Sequence, residues 1–397
     1  MKHNRISGFA LIIGCALPVL MLLGVLFRGE LTVSQNENRT LARFPALTLS
    51  SFLSGAFQDG LESALGDQYP FGEDIKDRVL TAQNTVYHAE AALLLSVAPP
   101  SGAEYREITP GYYHYGNDDH RIVEKPWQAD ACAGQMLENA QLFNSAENVK
   151  KYVYFIRNSR AQDFSLSDGE NSGLFDAVRS CYAADGYGCF SVPDYEAFCQ
   201  NFYQTDHHWN HRGADEGYRQ IVALLLGEQE ETLPVEKEWT FNVVFNGSYA
   251  RQTKTLCAEE LFSVYSYPSA KIKTTLSGKK GQYGHAALYE KDRFPTDELR
   301  NHYAYYYGGD YGEILLDNGS SHGRNLLVIA DSYSNPINLL LASHFDQTCI
   351  IDLRYYQQDM GKPFDVNAYI REHNIDTLLM MGDIVLFGGA LEQEAER

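Results

Sequence analysis

The run LLVIADSYSNP, residues 326–336, decides the fold of this chain, because five apolar residues end abruptly in a polar turn. An unbroken apolar run of this length, bounded by a turn, indicates a strand that is buried on both faces. The pattern then predicts a helix over 336–345, a strand over 348–353, a helix over 367–373 and a strand over 377–381. This βαβαβ order predicts an α/β fold with a parallel sheet, whose polar residues gather at the carboxyl ends of the strands.

Segments upstream extend the α/β pattern. Residues 152–157, YVYFIR, predict another buried strand, and residues 212–226 predict a helix with one apolar face. Residues 112–123 predict two strands joined by a turn at GNDD, and the turn alone accounts for those four residues. Two earlier helices are expected near 51–65 and 74–95.

Ser332 is the candidate nucleophile. It follows directly on the buried strand and precedes a helical pattern. In that position the first amide groups of the helix can stabilise an oxyanion.

The candidate base lies 124 residues upstream, in the segment TDHHWN at 205–210. In an extended segment, residues two apart face the same side about 6.5 Å from each other, so Asp206 is expected to pair with His208 while His207 points elsewhere. A carboxylate on one ring nitrogen fixes the tautomer and leaves the other nitrogen free to accept a proton from a hydroxyl. Trp209 would form an aromatic wall beside this pair.

These blocks resemble the bacterial DHHW family, which is similar to the membrane-linked alginate O-acetyltransferases. The resemblance also includes two earlier segments, ENRTLARFP at 37–45 and DQYPF at 67–71. Such enzymes are similar to SGNH (GDSL-like) hydrolases in permuted order, with Asp and His before Ser, and this chain has that order. In the SGNH block a glycine stands where this chain has Ala330, and the role of Asp383, after the last predicted strand, is open.

The resemblance implies an SGNH-hydrolase-like parallel sheet flanked by helices. It further implies Ser332 as nucleophile, His208 as general base and then acid, and Asp206 as the group that orients the histidine. No cofactor is expected, and the absence of a CxxC pair argues against zinc.

The segment 234–322, between base and nucleophile, is rich in Tyr, Gly and Lys and is expected to form an inserted cap or rim. Within it, YYYGGD at 305–310 resembles a Gly-Gly-Asn-like step of the relatives, which makes Gly309 and Asp310 candidate oxyanion residues. A simple turn into the next strand explains them equally well. Tyr333, Trp209 and His207 complete the set of candidate substrate or oxyanion residues.

The uncharged run of 22 residues at 6–27 predicts a transmembrane anchor. Because Lys2 and Arg5 precede it, residues 1–5 are expected in the cytoplasm and the rest of the chain outside the plasma membrane. A cleaved signal peptide or a lipoprotein box at 12–15 are alternatives, although the run is longer than a usual signal-peptide core. The expected order is then a juxtamembrane arm with helices over 28–100 and a catalytic domain over 101–397, opened by the break at 99–102.

Charge and cysteine content narrow the functional classes. A formal net charge of −20 argues against nucleic-acid binding, because phosphates would be repelled. Outside the membrane, disulfide bonds become possible, and Cys181 and Cys189 are close enough in sequence to close a small loop. Buried or free thiols are the alternative.

The resemblance implies an O-acetyltransferase acting on a cell-envelope polysaccharide, with a multispanning membrane O-acyltransferase as a possible partner. A carbohydrate acetylesterase, with water as acceptor, is an alternative, and so is a non-catalytic cell-envelope binding or scaffold module. A further alternative is a divalent-metal site formed by Asp206, His207, His208 and His211.

Overall fold

The computed structural model describes most of the chain after residue 28, and it forms two compact units, Met1–Tyr87 and His88–Arg397. The residues it describes are 24, 29–31, 33–34, 39–69, 72–97, 104–167, 169–256, 259–268, 271–281, 283, 294–321 and 323–390. The predicted tail and anchor at 1–27 lie outside them apart from residue 24, as do the break at 99–102 and Cys257. Among the residues described, none of the helices combines the length and the apolarity that a membrane span needs.

In the first unit, the side chain of Gln68 holds the extended arm against a helix. The predicted helix at 51–65 is two helices, α1 (Leu49–Ser54) and α2 (Ala56–Gln68), because Gly55 adopts a left-handed φ of 90° that ends the first. Gln68 is fully buried, donates to the carbonyl groups of Leu31 and Ala42, and accepts from the Leu31 amide. The DQYPF segment therefore supplies the side chain that fixes this arm.

The second unit is built on one large sheet. Its eight strands are β6 (Lys150–Ile156), β7 (Gly186–Phe190), β10 (Lys273–Leu276), β11 (Lys279–Lys280), β12 (Glu313–Asp317), β13 (Asn325–Ala330), β14 (Gln347–Ile351) and β15 (Thr377–Gly382). They lie in the order β11-β10-β12-β14-β13-β15-β6-β7. The five strands from β14 to β7 run parallel to one another, and β12, β10 and β11 are added at one edge, each antiparallel to its neighbour.

Three smaller sheets and thirteen α-helices complete the described part of the chain. The remaining strands form the pair β1 (Val33–Ser34) with β2 (Arg39–Thr40), the sheet β3 (Tyr105–Thr109), β4 (Tyr112–Tyr115) and β5 (Asp118–Val123), and the pair β8 (Lys237–Val244) with β9 (Leu261–Ser266). The other helices are α3 (Gly72–Val97), α4 (Ala129–Asn144), α5 (Gly173–Cys181), α6 (Tyr195–Asn201), α7 (His211–Leu226), α8 (Ser248–Thr253), α9 (His302–Tyr307), α10 (Asn338–Ala342), α11 (Leu353–Met360), α12 (Val366–His373) and α13 (Ile384–Gly388).

The large sheet has a hydrophobic core on each face. Along β13, Leu326 and Val328 belong to one core, together with residues of α7 and α10, and Leu327 and Ile329 belong to the other, together with residues of α4 and α12. This alternation follows from the two-residue period of a strand. The predicted mixed α/β fold with a parallel-rich sheet between helices is therefore confirmed.

Segments of the second unit also differ from the sequence predictions. The helix predicted at 336–345 is the shorter α10, preceded by a 3-10 helix at Ser332–Ser334. Part of the segment 234–322 joins the large sheet as β10, β11 and β12. Of the two alternatives for Cys181 and Cys189, the structure has the thiols: no disulfide joins the described cysteines, and these two belong to separate elements, the end of α5 and the strand β7.

The carboxyl ends of four neighbouring parallel strands carry polar residues. Ser332 follows β13, Asp383 follows β15, Asn158 and Arg160 follow β6, and Arg354 follows β14. Because these ends lie at the same edge of the sheet, the fold brings together side chains that are far apart in sequence.

Candidate active site

The structure brings Asp206, His208 and Ser332 into one hydrogen-bonded line. Nε2 of His208 lies 2.7 Å from Oγ of Ser332, and Nδ1 of the same ring lies 2.6 Å from Oδ1 of Asp206. Asp206 and His208 are buried, whereas Ser332 is half-buried. In this geometry a proton can pass from the serine hydroxyl to the imidazole while the carboxylate stabilises the resulting charge.

A turn, rather than an extended strand, pairs Asp206 with His208. Residues 204–208 form a continuous bend, and Oδ1 of Asp206 accepts the backbone N–H of His208 at 3.0 Å as well as its ring. An aspartate that accepts from the amide two residues on stabilises such a turn locally. The predicted pair is thus formed through a different backbone geometry.

Gly247 and Ser248, which the sequence analysis did not single out, hold the other oxygen of Asp206. The backbone N–H of Ser248 donates to Oδ2 of Asp206 at 2.6 Å. Gly247 lies so close that a Cβ there would be 2.5 Å from that oxygen and from the Thr205 carbonyl oxygen. Burial acts to raise the pKa of Asp206, but the electrostatic attraction and the hydrogen bond of His208 oppose it, and the pKa lies well below its usual range.

His207 lies beside the line without joining it. Its Nδ1 is 2.9 Å from Oγ of Ser248, and its ring centroid is 3.9 Å from that of His208. Burial, followed by the charge of His208, holds the pKa of His207 well below its usual value. His207 is therefore a neutral imidazole at the edge of the pocket that contains Ser332.

The amides after Ser332 are already engaged. Asp331 caps the 3-10 helix, and its Oδ1 accepts the Tyr333 N–H at 3.0 Å. The Ser334 N–H donates to the Asp331 carbonyl oxygen at 3.1 Å. These two amides therefore do not point to an oxyanion in this conformation, contrary to the expectation that the first helical amides would do so.

Trp209 and Tyr333 join the histidine segment to the serine segment from behind. Trp209 Nε1 donates to the Tyr333 carbonyl oxygen at 3.1 Å, and the Tyr333 hydroxyl donates to the His207 carbonyl oxygen. Trp209 is fully buried against α7, where Gly217 leaves room for its six-membered ring. Trp209 thus stands behind the site as a packing residue and is not a wall exposed to a ligand.

A small pocket of about 60 Å³ opens beside Ser332. Its lining residues come mainly from the ends of four parallel strands: Arg160, His207, Asp331, Ser332, Tyr333, Arg354, Asp383, Val385, Leu386 and Ala390. The pocket thus combines fixed charges on one side with a short apolar face from α13.

Asp383, whose role the sequence left open, belongs to a charged network at this pocket. Its Oδ2 accepts from Asn158 at 2.8 Å and from Arg160 at 3.0 Å, and Arg160 also contacts Glu124 at 2.6 Å. Burial, followed by the negative charge of Asp383, raises the pKa of Asp331 to about 8. The raised pKa favours the protonated form of Asp331, whereas Asp383 is paired with a guanidinium.

Gly309 and Asp310 lie in a turn that leads toward β12. Gly309 has a left-handed φ of 74°, and Oδ1 of Asp310 accepts from Asn335 at 2.9 Å. Neither residue is among those that line the pocket. The structure therefore ties Asp310 to the serine segment through Asn335, one turn beyond Ser332.

A metal ion at this site would have to displace existing hydrogen bonds. Ligand atoms of Asp206, His207 and His208 lie within 4.8 Å of one another, but Nδ1 of His208 is bonded to Asp206 and Nε2 to Ser332. His211, the fourth residue of that alternative, begins α7 and instead places Nε2 2.9 Å from Glu238. The four predicted ligands are thus not assembled.

Comparison with solved structures bears on the fold. A DHHW family protein from Eubacterium siraeum matches with a TM-score of 0.52 at 17% identity, over 75% of this chain and 97% of its own. The chain has the fold of this DHHW family protein. Bacillus cereus PatB1, solved with a sulfonyl adduct, matches this chain with a TM-score of 0.54 at 20% identity, over 73% of this chain and 98% of its own.

The likeness is one of structure. The O-acetyltransferase domain of Pseudomonas putida AlgJ matches at 11% identity over 68% of this chain and 90% of its own, and its TM-score of 0.36 is too low to bear on the fold. No protein-family model and no curated protein sequence matches the chain. The resemblance predicted from the DHHW and serine blocks is thus confirmed at the level of the DHHW fold.

Proposed function

We propose that this protein is a serine acyl-enzyme catalyst that transfers an acetyl group to a hydroxyl of a cell-envelope polysaccharide. The observation that carries the proposal is the line from Asp206 through His208 to Oγ of Ser332, with both links at 2.6–2.7 Å. A hydroxyl at hydrogen-bonding distance from a carboxylate-oriented imidazole is the arrangement that nucleophilic acyl transfer requires.

The chemistry runs in two steps. Oγ of Ser332 attacks the carbonyl carbon of an acetyl ester while His208 accepts the serine proton, and the same proton is then given to the oxygen of the leaving group. An acetyl-serine remains. In the second step, His208 removes the proton of an acceptor hydroxyl, whose oxygen attacks the acetyl carbon and regenerates the serine.

Two features support this assignment. The pocket beside Ser332 is small, about 60 Å³, and a two-carbon acyl group suits that volume better than a long chain does. PatB1, which shares the fold, is solved with a sulfonyl adduct, and sulfonyl reagents modify activated hydroxyl nucleophiles.

The proposed location is supported by the sequence, and the proposed partner by the family resemblance alone. The apolar run at 6–27 with Lys2 and Arg5 before it supports a single-pass anchor in the plasma membrane, with the catalytic unit on the extracytoplasmic side. In that position the substrate is an envelope polysaccharide, and a multispanning membrane O-acyltransferase is the class of partner that would deliver acetyl groups outward.

The test uses the full-length protein in detergent, with 4-nitrophenyl acetate as donor and a soluble chito-oligosaccharide as model acceptor. We expect release of 4-nitrophenol by the wild type, covalent labelling of Ser332 by phenylmethylsulfonyl fluoride, and neither in Ser332→Ala. Ser343→Ala serves as the matched control and should retain turnover. Ser343 caps the carboxyl end of α10, whereas Ser332 lies before the amino end of this helix.

The products distinguish the candidate functions. Acetyl ester on the oligosaccharide supports transfer, and free acetate alone makes the protein an acetylesterase of the same mechanism. Equal turnover by the wild type and Ser332→Ala would remove Ser332 from the chemistry and leave a binding or scaffold role.

A further inference from the structure

Tyr303 contacts both the base and the nucleophile of the site. Its ring is stacked on the imidazole of His208, with centroids 4.0 Å apart and planes inclined by 15°. Its hydroxyl donates to the backbone carbonyl oxygen of Ser332 at 2.8 Å. One side chain therefore spans the two groups between which the proton must pass.

Tyr303 is held in this place by the aromatic core of the inserted segment. Tyr303 is the second residue of α9. Its ring is buried, and the ring centroid lies 5.0 Å from that of Tyr307 and 6.3 Å from that of Tyr203. The same core contains Phe241 from β8 and Phe262 from β9. A side chain locked by such packing presents a fixed surface to its neighbours.

The protonation state of Tyr303 suits a hydrogen-bond donor. Burial, followed by the nearby hydroxyl of Tyr307, raises the pKa of Tyr303 well above its ordinary value. The hydroxyl therefore keeps its proton for the Ser332 carbonyl, which also accepts the Asn335 N–H at 3.2 Å. Two donors thus fix the peptide group directly after the nucleophilic residue.

We propose that Tyr303 is a positioning residue that holds the His208 ring and the Ser332 backbone in register for proton transfer. The ring face limits rotation of the imidazole about its side-chain bonds, while the hydroxyl fixes the turn from which Oγ of Ser332 projects. Nδ1 of His208 already donates to Oδ1 of Asp206, and Tyr303 restrains the ring in the direction perpendicular to its plane, which a carboxylate in that plane does not.

This inference rests on the proposed serine mechanism and assigns a role to the inserted segment. That segment delivers Tyr303 to the site through α9, so its aromatic core contributes to catalysis without itself touching the substrate. The contribution is one of orientation, for which a displacement of about 1 Å can reduce a rate by about 100-fold.

The experiment separates the two contacts of Tyr303. In Tyr303→Phe the ring stays and the hydrogen bond is lost, so kcat for 4-nitrophenyl acetate should fall by about tenfold with an unchanged KM. In Tyr303→Leu both contacts are lost, and kcat should fall by about 100-fold. The rate of Ser332 labelling by phenylmethylsulfonyl fluoride should fall in the same order.

Tyr356→Phe is the control, since Tyr356 lies on α11 and packs on Phe364, in a core that contains no residue of α9. It should leave kcat and the labelling rate unchanged, and thermal unfolding of all three variants shows whether the fold is kept. A folded Tyr303→Leu protein with wild-type kcat would overturn the proposal, and so would a loss confined to KM. A wild-type protein that neither turns over the ester nor is labelled would instead refute the serine mechanism itself.

Discussion

Gly247 packs directly against the carboxylate of Asp206, and the next amide, that of Ser248, donates to this carboxylate at 2.6 Å. The acid that orients the imidazole is therefore held by a segment 42 residues further along the chain. Because a Cβ at position 247 would lie 2.5 Å from Oδ2 of Asp206, only glycine fits without a shift of one of the two segments.

Gly247→Ala should displace Asp206 and weaken both activity and stability. Overpacking of this kind costs about 1–3 kcal/mol in the free energy of unfolding, and we expect kcat to fall by more than about tenfold. Urea unfolding and turnover of 4-nitrophenyl acetate measure the two effects. Gly134→Ala, in the helix α4 with nothing within 4 Å of the added Cβ, is the control and should be neutral or slightly stabilising. Wild-type turnover in Gly247→Ala would show that Asp206 tolerates the shift.

Asp206→Asn should keep the turn but remove the charge that supports the His208 ring. The amide oxygen can still accept the His208 N–H, although the new amide nitrogen faces the Ser248 N–H and costs some stability, and the protonated imidazole loses its counter-charge. We expect kcat to fall by about 10³–10⁴-fold, as when the acid of a Ser-His-Asp site is neutralised. Steady-state kinetics with a circular-dichroism check of folding measures this, and a decrease below fivefold would contradict the orienting role.

Asp331→Asn should stabilise the protein, increasingly so at higher pH. The folded-state pKa of Asp331 is about 8, while an unfolded aspartate titrates near 4. Between about pH 4 and pH 8, the Asp331 carboxyl group is ionised in the unfolded chain and protonated in the folded protein. This group therefore lowers the free energy of unfolding progressively as pH rises from about 4 to 8. Asparagine removes that contribution while its oxygen can still accept the Tyr333 N–H.

The measurement is the difference in urea unfolding free energy between Asp331→Asn and the wild type at pH 5 and at pH 8. We expect this difference to rise by on the order of 1–3 kcal/mol in favour of the variant. Asp176→Asn, at an exposed site on α5, is the control for a general charge effect. A difference that is constant with pH would show that Asp331 is ionised in the folded protein.

Trp209→Phe should weaken the packing between the histidine segment and the serine segment and so lower the free energy of unfolding. The change removes the indole N–H that the Tyr333 carbonyl accepts and leaves a void beside Gly217. A buried acceptor without a donor and a smaller ring together cost about 2–4 kcal/mol. Thermal and urea unfolding measure the cost, with the half-buried Trp127 changed to Phe as the control for the same substitution elsewhere. Equal losses at the two positions would argue against a special role for Trp209.

The sequence predicted those parts of the site that short local patterns carry. Ser332 was identifiable because an apolar strand ends one residue before Asp331, and Asp206 with His208 because they lie two residues apart. Ser248 and Tyr303 could not be found in this way, since each reaches the site only through tertiary packing. In each case the flanking residues give no sign of that contact.

The same distinction holds for the fold. The strands β13, β14 and β15 are unbroken apolar runs, and the pattern located them to within two residues. The strands β10 and β11 were missed because they are short, lie at an exposed edge and contain Lys and Thr. Their sequences therefore show little alternation between apolar and polar residues. The turn at Asp206 was missed because its stabilising bond comes from a side chain, which a pattern of apolar residues does not record.

The position of β15 sets the order in which the molecule can be completed during synthesis. This strand is the last in the described part of the chain, yet it lies between β13 and β6 and pairs with both. A growing chain therefore leaves the two halves of its sheet unjoined until Thr377–Gly382 emerges. Because Leu379 and Leu378 of this strand belong to opposite cores, neither core of the sheet is complete while the polypeptide is still being made.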